Sequence, residues 1–190
     1  MRLSTGRMNN LNPLNAQPYS MKILFVIASD RFIDMGYTVP KKILEEQGVE
    51  CITASTIHGT CYGMHGEIVE SDLAISEINP ADYDGIVIDG GIGCQDELWR
   101  NEALIDITNK IGVSGKLAAA ICLAPVILAE AGLLAGKKAT CLQTPATLRV
   151  LTLDKAEVMQ DKVVVDGSIV TAQTPFDAEE FGRAILSVIR

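Results

Sequence analysis

Three short runs of this chain are almost continuously apolar: Met21–Ser29 (MKILFVIAS), Gly85–Asp89 (GIVID) and Lys116–Cys122 (KLAAAIC). A strand with one wet face alternates polar and apolar residues. Runs without alternation need both faces buried, which is the habit of parallel strands covered by helices. Helical stretches separate the runs. Pro40 is expected to open PKKILEEQG, which stops at Gly48. Further helices are expected over Glu102–Val113, over Pro125–Ala131 with an end at Gly132–Gly136, and over Asp177–Ile189 with Asp177 or Thr174 as cap. Val49–Ser55 and Lys138–Leu142 read as strands, Thr60–Asp72 as turns and short hairpin strands, and Ala81–Asp84 as a short helical turn. Pro145–Leu151 reads as a short helix or loop. Val158–Val165 and Ser168–Ala172 flank Asp166-Gly167, a two-residue hairpin signal. Strand and helix alternate throughout, which specifies an α/β fold: a three-layer α/β/α sandwich around a mostly parallel sheet.

The 190 residues suit one domain, expected over residues 21–190. Residues 1–20 have no apolar period and read as a disordered arm, an expression remnant or the product of an upstream start codon. No apolar stretch reaches the roughly 20 residues that span a bilayer, so no membrane partner is expected. The net charge of −8 disfavours nucleic acid, because phosphate neutralisation needs clustered Lys and Arg. Small substrates or protein partners are expected instead. Five cysteines with no C-x-x-C spacing, and two histidines, leave no metal site in view and read as reduced thiols in a cytoplasm. No cofactor is expected either. The first strand is followed by Asp30-Arg31-Phe32 rather than G-x-G-x-x-G, and Gly115-Lys116 lacks the P-loop spacing.

Ligands of such sheets bind beyond the carboxyl ends of the strands. Ser29-Asp30, Gly90-Gly91 and Cys122 lie at three of those ends. Cys122 stands between a strand and a helix, where nucleophiles are commonly presented and where a helix N-terminus favours the thiolate. A small core residue is the alternative. The N–H groups of Gly91 and Leu123 are candidates for an oxyanion pocket, since glycine lets the backbone approach a ligand. Asp30 and Asp34 are within possible reach as partners, or serve as helix caps and solvated charges. His65, in Gly-Met-His-Gly, reads as a surface turn residue, and His58 lies in the same early region. Cys94 is either a redox partner of Cys122 or a small loop residue. Cys51 and Cys141 fit core filling, and Trp99 fits helix packing or a subunit contact.

From Met21 to Arg190 the chain resembles the ThiJ/PfpI family of the class I glutamine-amidotransferase-like superfamily. The residues that carry the resemblance are MKILFVIAS, the Pro40 helix, Gly63-Met64-His65-Gly66, GIVIDGGIG, AAAICLAPVILAEAGLLAGKKAT and VVVDGSIVTAQTPFDAEEFGRAI. The resemblance implies a flavodoxin-like sandwich, a homodimer or higher homo-oligomer, and a reactive cysteine at Cys122. Many members carry His directly after that cysteine, where this chain has Leu123. Many also carry a Glu four residues before the helix proline, where this chain has Gly36; Asp34 offers only a shorter, displaced carboxyl. The family's late Thr-x-x-Gly-Pro is here Thr171-Ala172-Gln173-Thr174-Pro175. Without the carboxyl a higher Cys122 pKa is expected, and without His peptidase chemistry loses its proton donor. The resemblance therefore leaves three readings. One is weak cysteine-dependent hydrolase or aldehyde chemistry on a small carbonyl substrate, as in glyoxalases and deglycases. The second is a redox or stress-response module, and the third a degenerate relative acting through oligomer contacts.

Overall fold

The computed structural model describes residues 20–190, so the arm expected at the start of the chain lies outside the described residues except for Ser20. A seven-stranded sheet runs through the domain. Its strands are β1 (Lys22–Val26), β3 (Glu50–Ser55), β6 (Leu73–Ala74), β7 (Gly85–Ile88), β8 (Leu117–Ile121), β11 (Val163–Asp166) and β12 (Ile169–Ala172), in the order β11-β12-β8-β7-β1-β3-β6. All pairings are parallel except β11 with β12. The three apolar runs become β1, β7 and β8, the centre of the sheet. Ile23, Leu24, Val26, Ile86, Ile88 and Ala118 are completely buried, as strands covered on both faces require.

Helices α1 (Asp34–Glu45) and α5 (Ala178–Ile189) pack together against one face of the sheet. Helices α2 (Glu102–Val113) and α3 (Pro125–Glu130) cover the other, with α4 (Pro145–Leu153) against α3. The α/β/α sandwich with a mostly parallel sheet is thus present. A second, three-stranded sheet joins β2 (Asp30–Phe32), β4 (Thr60–Gly63) and β5 (Ile68–Glu70), and a ribbon joins β9 (Lys138–Ala139) to β10 (Glu157–Val158).

Several boundaries differ from the sequence reading, and the strand expected over Val158–Val165 is split into β10, which pairs with β9, and β11, which joins the large sheet. Helix α1 starts at Asp34, so Pro40 lies in its interior instead of opening it. Proline is favoured in a first turn because its missing N–H is no loss there. Here the carbonyl deprived of that N–H is the one four residues back, at Gly36. Strand β9 ends at Ala139 rather than Leu142, because the next amides turn to other partners. Thr140 N donates to Thr171 Oγ1 at 2.9 Å, and Leu142 N donates to the Cys122 carbonyl at 2.8 Å. In the closing hairpin Asp166 pairs with Ile169, so the turn is Gly167-Ser168, one residue later than expected, with Gly167 at φ 64°.

Candidate active site around Cys122

Cys122 is the first residue beyond β8 and has φ 64°. A non-glycine residue in this left-handed region costs on the order of 1–3 kcal/mol and persists only where its surroundings fix it. Here three hydrogen bonds do so. Cys122 N donates to Ala172 O at 2.9 Å and Leu142 N donates to Cys122 O at 2.8 Å. Trp99 Nε1 donates to Leu123 O at 3.0 Å. The N–H groups of Gly91 and Leu123 bear on its sulfur and favour the thiolate. Gly90 lies flush with the same residue: a Cβ there would stand 2.6 Å from Cys122 Cβ and 3.3 Å from Sγ. Gly91 has φ 97°, and a Cβ on it would fall 2.5 Å from Arg31 O, so only glycine lets this loop pass under β2.

Cys122 is 4% exposed. Burial pushes its thiol up to about 11, the negative charge of Asp89 adds to the rise, and the Gly91 and Leu123 N–H groups only partly oppose it. The expected lowering by a helix N-terminus does not prevail, since α3 has six residues and burial outweighs it. At neutral pH the resting thiol is protonated.

The residue that sequence reasoning missed is Asp89, directly after β7 and 2% exposed. Ile33 N donates to its Oδ2 at 2.8 Å. Its Oδ1 has no hydrogen-bond partner. Burial pushes this carboxyl well above the usual carboxylate range, against the lowering effect of the Gly90 and Ile33 N–H groups and with a further push from Asp34. Gly36 does not simply leave a gap. A Cβ at Gly36 would lie 2.2 Å from Asp89 Oδ1, so the aspartate carboxyl fills the space that a side chain at 36 would use. The signal was visible in GIVID: an acidic residue closing an otherwise apolar strand, immediately before Gly-Gly.

The remaining candidates separate into near and far. Asp34 opens α1 and ties down the β4–β5 turn, accepting from His65 N at 2.9 Å and Glu67 N at 2.8 Å. Burial raises its carboxyl, but these donors outweigh burial and hold it below the ordinary value. His65 Nδ1 lies 3.4 Å from Asp34 Oδ2. Both face an apolar cavity of about 380 Å³, lined also by Ile33, Met35, Pro175 and Phe176. Ile33, which lines this cavity, has its N–H held by Asp89 and sitting 3.0 Å from the Cβ position of Gly91, whereas Cys122 is not among the residues that line it. Asp30 is not in the pocket; it is exposed and paired with Arg31 at 2.9 Å. His58 is also exposed, 3.5 Å from Glu77. Cys94 is buried and free, in a π-helical turn at Cys94–Leu98, and forms no disulfide with Cys122. Burial raises its thiol, with Asp89 and Cys122 next in effect, so it shares their surroundings. Cys141 is a buried core residue, whereas Cys51 is only partly buried. The same π turn carries Glu97, whose carboxylate accepts from Ser29 N, Ser29 Oγ and Thr56 Oγ1 at 2.8 Å and from Asp30 N at 3.1 Å. Glu97 and Trp99 thus brace the end of β1 and the Leu123 peptide from one loop. Among the described residues no group of three acidic, His or Cys side chains is arranged to hold a metal ion, and no helix is long and apolar enough to cross a membrane.

The DJ-1/PfpI family model matches residues 21–188. The chain is 38% identical to an uncharacterised protein of Methanocaldococcus jannaschii, over 98% of this chain and 91% of that protein. It is 34% identical to a Pyrococcus horikoshii protein named a deglycase, over 90% of this chain and all of that one. Among solved structures, a ThiJ/PfpI domain protein from Brachyspira murdochii superposes with a TM-score of 0.84 at 32% identity, covering 90% of this chain and 98% of that one.

Proposed function

The chain belongs to the DJ-1/PfpI family, and on that premise we propose that it is a cysteine-dependent enzyme acting on a small carbonyl compound. The observation that supports this reading is the left-handed turn at Cys122 after a central strand, flush against Gly90, where the Gly91 and Leu123 N–H groups favour the thiolate. The thiolate attacks the carbonyl carbon; a C–S bond forms and the carbonyl electron pair moves to oxygen. The Gly91 and Leu123 N–H groups then face the new oxyanion, and the proton released when the thiol forms its thiolate is returned to that oxygen to complete a hemithioacetal. The apolar cavity beyond Ile33 has a volume suited to a small substrate. A relative named a deglycase belongs to the same class of carbonyl chemistry. With Leu123 after the cysteine, no imidazole is adjacent to protonate an amine leaving group, which favours aldehyde or ketone addition over peptide hydrolysis.

The test is turnover of methylglyoxal by the wild type and by Cys122→Ala. The reading expects the variant to fall to background while keeping its fold. Equal rates in the two proteins would overturn it. A homo-oligomer and a cytoplasmic location belong to this proposal as well, the first to be checked by light scattering and the second by fractionation of cells that express the protein.

A further inference from the structure

The cavity of about 380 Å³ beside Ile33 combines apolar walls with one polar pair: Ile33, Met35, Pro175 and Phe176 line it together with Asp34 and His65. Met35 is 46% exposed and Phe176 87%, so two large apolar side chains stand in water at a concave site. The polar pair is built with care. His65 N donates to Asp34 Oδ2 at 2.9 Å, and the ring Nδ1 of the same residue lies 3.4 Å from that oxygen. Asp34 Oδ1 accepts from Glu67 N at 2.8 Å. Gly63 lets the hairpin close this far, since a Cβ there would fall 2.7 Å from the Asp34 carboxyl. Backbone donors thus occupy both oxygens of Asp34, whose side chain is 13% exposed, whereas the His65 side chain is 71% exposed. A molecule entering the cavity therefore meets the imidazole before the carboxylate.

The pair also fixes the role of each ring nitrogen. An ionised carboxylate has no proton to give, so in the neutral imidazole Nδ1 carries the hydrogen toward Asp34. Nε2 then presents a lone pair with no hydrogen-bond partner among the described residues. We propose that this cavity binds a small aromatic or branched-alkyl hydroxyl compound, with its apolar body against Ile33, Met35 and Phe176 and its O–H donating to His65 Nε2. Both halves of the site call for such a ligand. An apolar body takes the exposed faces of Met35 and Phe176 out of water. A hydroxyl supplies the donor that the bare ring nitrogen lacks, whereas a purely apolar molecule would cover that nitrogen unpaired. An anion would meet the Asp34 charge behind the ring. The imidazole–carboxylate contact alone is not the site: His58 stands 3.5 Å from Glu77 in a like contact but is not among the residues lining this cavity. The assignment goes beyond the carbonyl chemistry of Cys122 and stands whether or not that thiol turns over.

The probes are p-cresol and toluene, which share an apolar ring and differ in the hydroxyl. His58 and His65 are the two histidines of the chain, so NMR reads their ring signals separately and His58 serves as the internal control. p-Cresol should move the His65 ring signals saturably and leave those of His58 in place. Its dissociation constant, from ligand-observed NMR, should lie about tenfold below that of toluene. His65→Ala should remove that difference, and Phe176→Ala should weaken both ligands by about threefold or more. Both substitutions fall on exposed side chains and leave the fold intact, which circular dichroism checks. Equal affinity for p-cresol and toluene, parallel movement of both histidines, or no saturable movement of His65 would overturn the site. Methylglyoxal turnover is read separately with Cys122→Ala, so the failure of either reading leaves the other standing.

Discussion

At the scale of single residues, two buried acids make the stability of this protein depend on pH. Both Asp89 and Cys122 have folded-state pKa values raised chiefly by burial. A raised value means that the folded state prefers the proton. The stability associated with Asp89 is therefore complete below its ordinary value of 3.8 and is lost as pH climbs through the folded-state value. For Cys122 the same loss runs from about 9 to about 11. Asp89→Asn should accordingly melt at a higher temperature than wild type at pH 7, with the difference shrinking as pH falls toward the ordinary carboxyl value of 3.8. Thermal melts across that range check this. Cys122→Ala should flatten the alkaline arm of the same stability profile. The carboxyl itself was hard to find from sequence, because the resemblance points to the helix position Gly36 while the group arrives from the strand. Residue types were legible; which of two facing elements supplies the acid depends on packing.

At the scale of elements, the site is held by connections rather than by the elements themselves. The π turn at Cys94–Leu98 and Trp99 just after it reach both sides of the sheet end. Glu97 satisfies four donors from two separate segments, and hydrogen bonds to a charged acceptor of this kind are worth about 1.5–3 kcal/mol each when one partner is lost. Glu97→Gln keeps one acceptor oxygen but exchanges the other for an amide donor facing other donors. It should destabilise the fold by about 2–4 kcal/mol, read by denaturant melts. Trp99→Phe removes the donor to Leu123 O. It should cost about 1 kcal/mol and slow carbonyl turnover through a looser Leu123 peptide. The sequence offered no period for a π turn and placed Trp99 only as packing. Its indole N–H acts on a residue 24 positions away, which no local pattern encodes. The Pro40 boundary failed for a related reason: a proline reads locally as a helix start, whereas the buried face Gly36, Tyr37, Pro40 and Leu44 runs through it and the helix packs against α5.

At the scale of the whole molecule, the architecture was legible because it rests on composition within short windows. The runs that become β1, β7 and β8 bury every apolar side chain except the half-buried Met21, and strands covered on both faces are what such runs require. Those strands should therefore exchange their amide protons last. The β4–β5 hairpin, with Tyr62 and Ile68 exposed, and the two-residue strand β6 should exchange first. Hydrogen exchange with mass readout checks the ranking, and uniform protection across both sheets would contradict it. The site was only partly legible, since it is assembled where four strand ends and three loops meet. Cys122, Gly91 and Leu123 could be named from their places after strands, whereas Asp30 could not be told from Asp34 until the chain direction after β1 was known.

The contact between Asp89 and Gly36 has a consequence for how this chain can change over generations. With the strand's carboxyl occupying the helix's side-chain space, any larger residue at 36 meets an obstacle, and shortening 89 alone leaves a hole beside Gly36. Neither step is easy by itself. The two positions behave as one character: moving the acid from the strand to the helix is reached most readily by a double replacement.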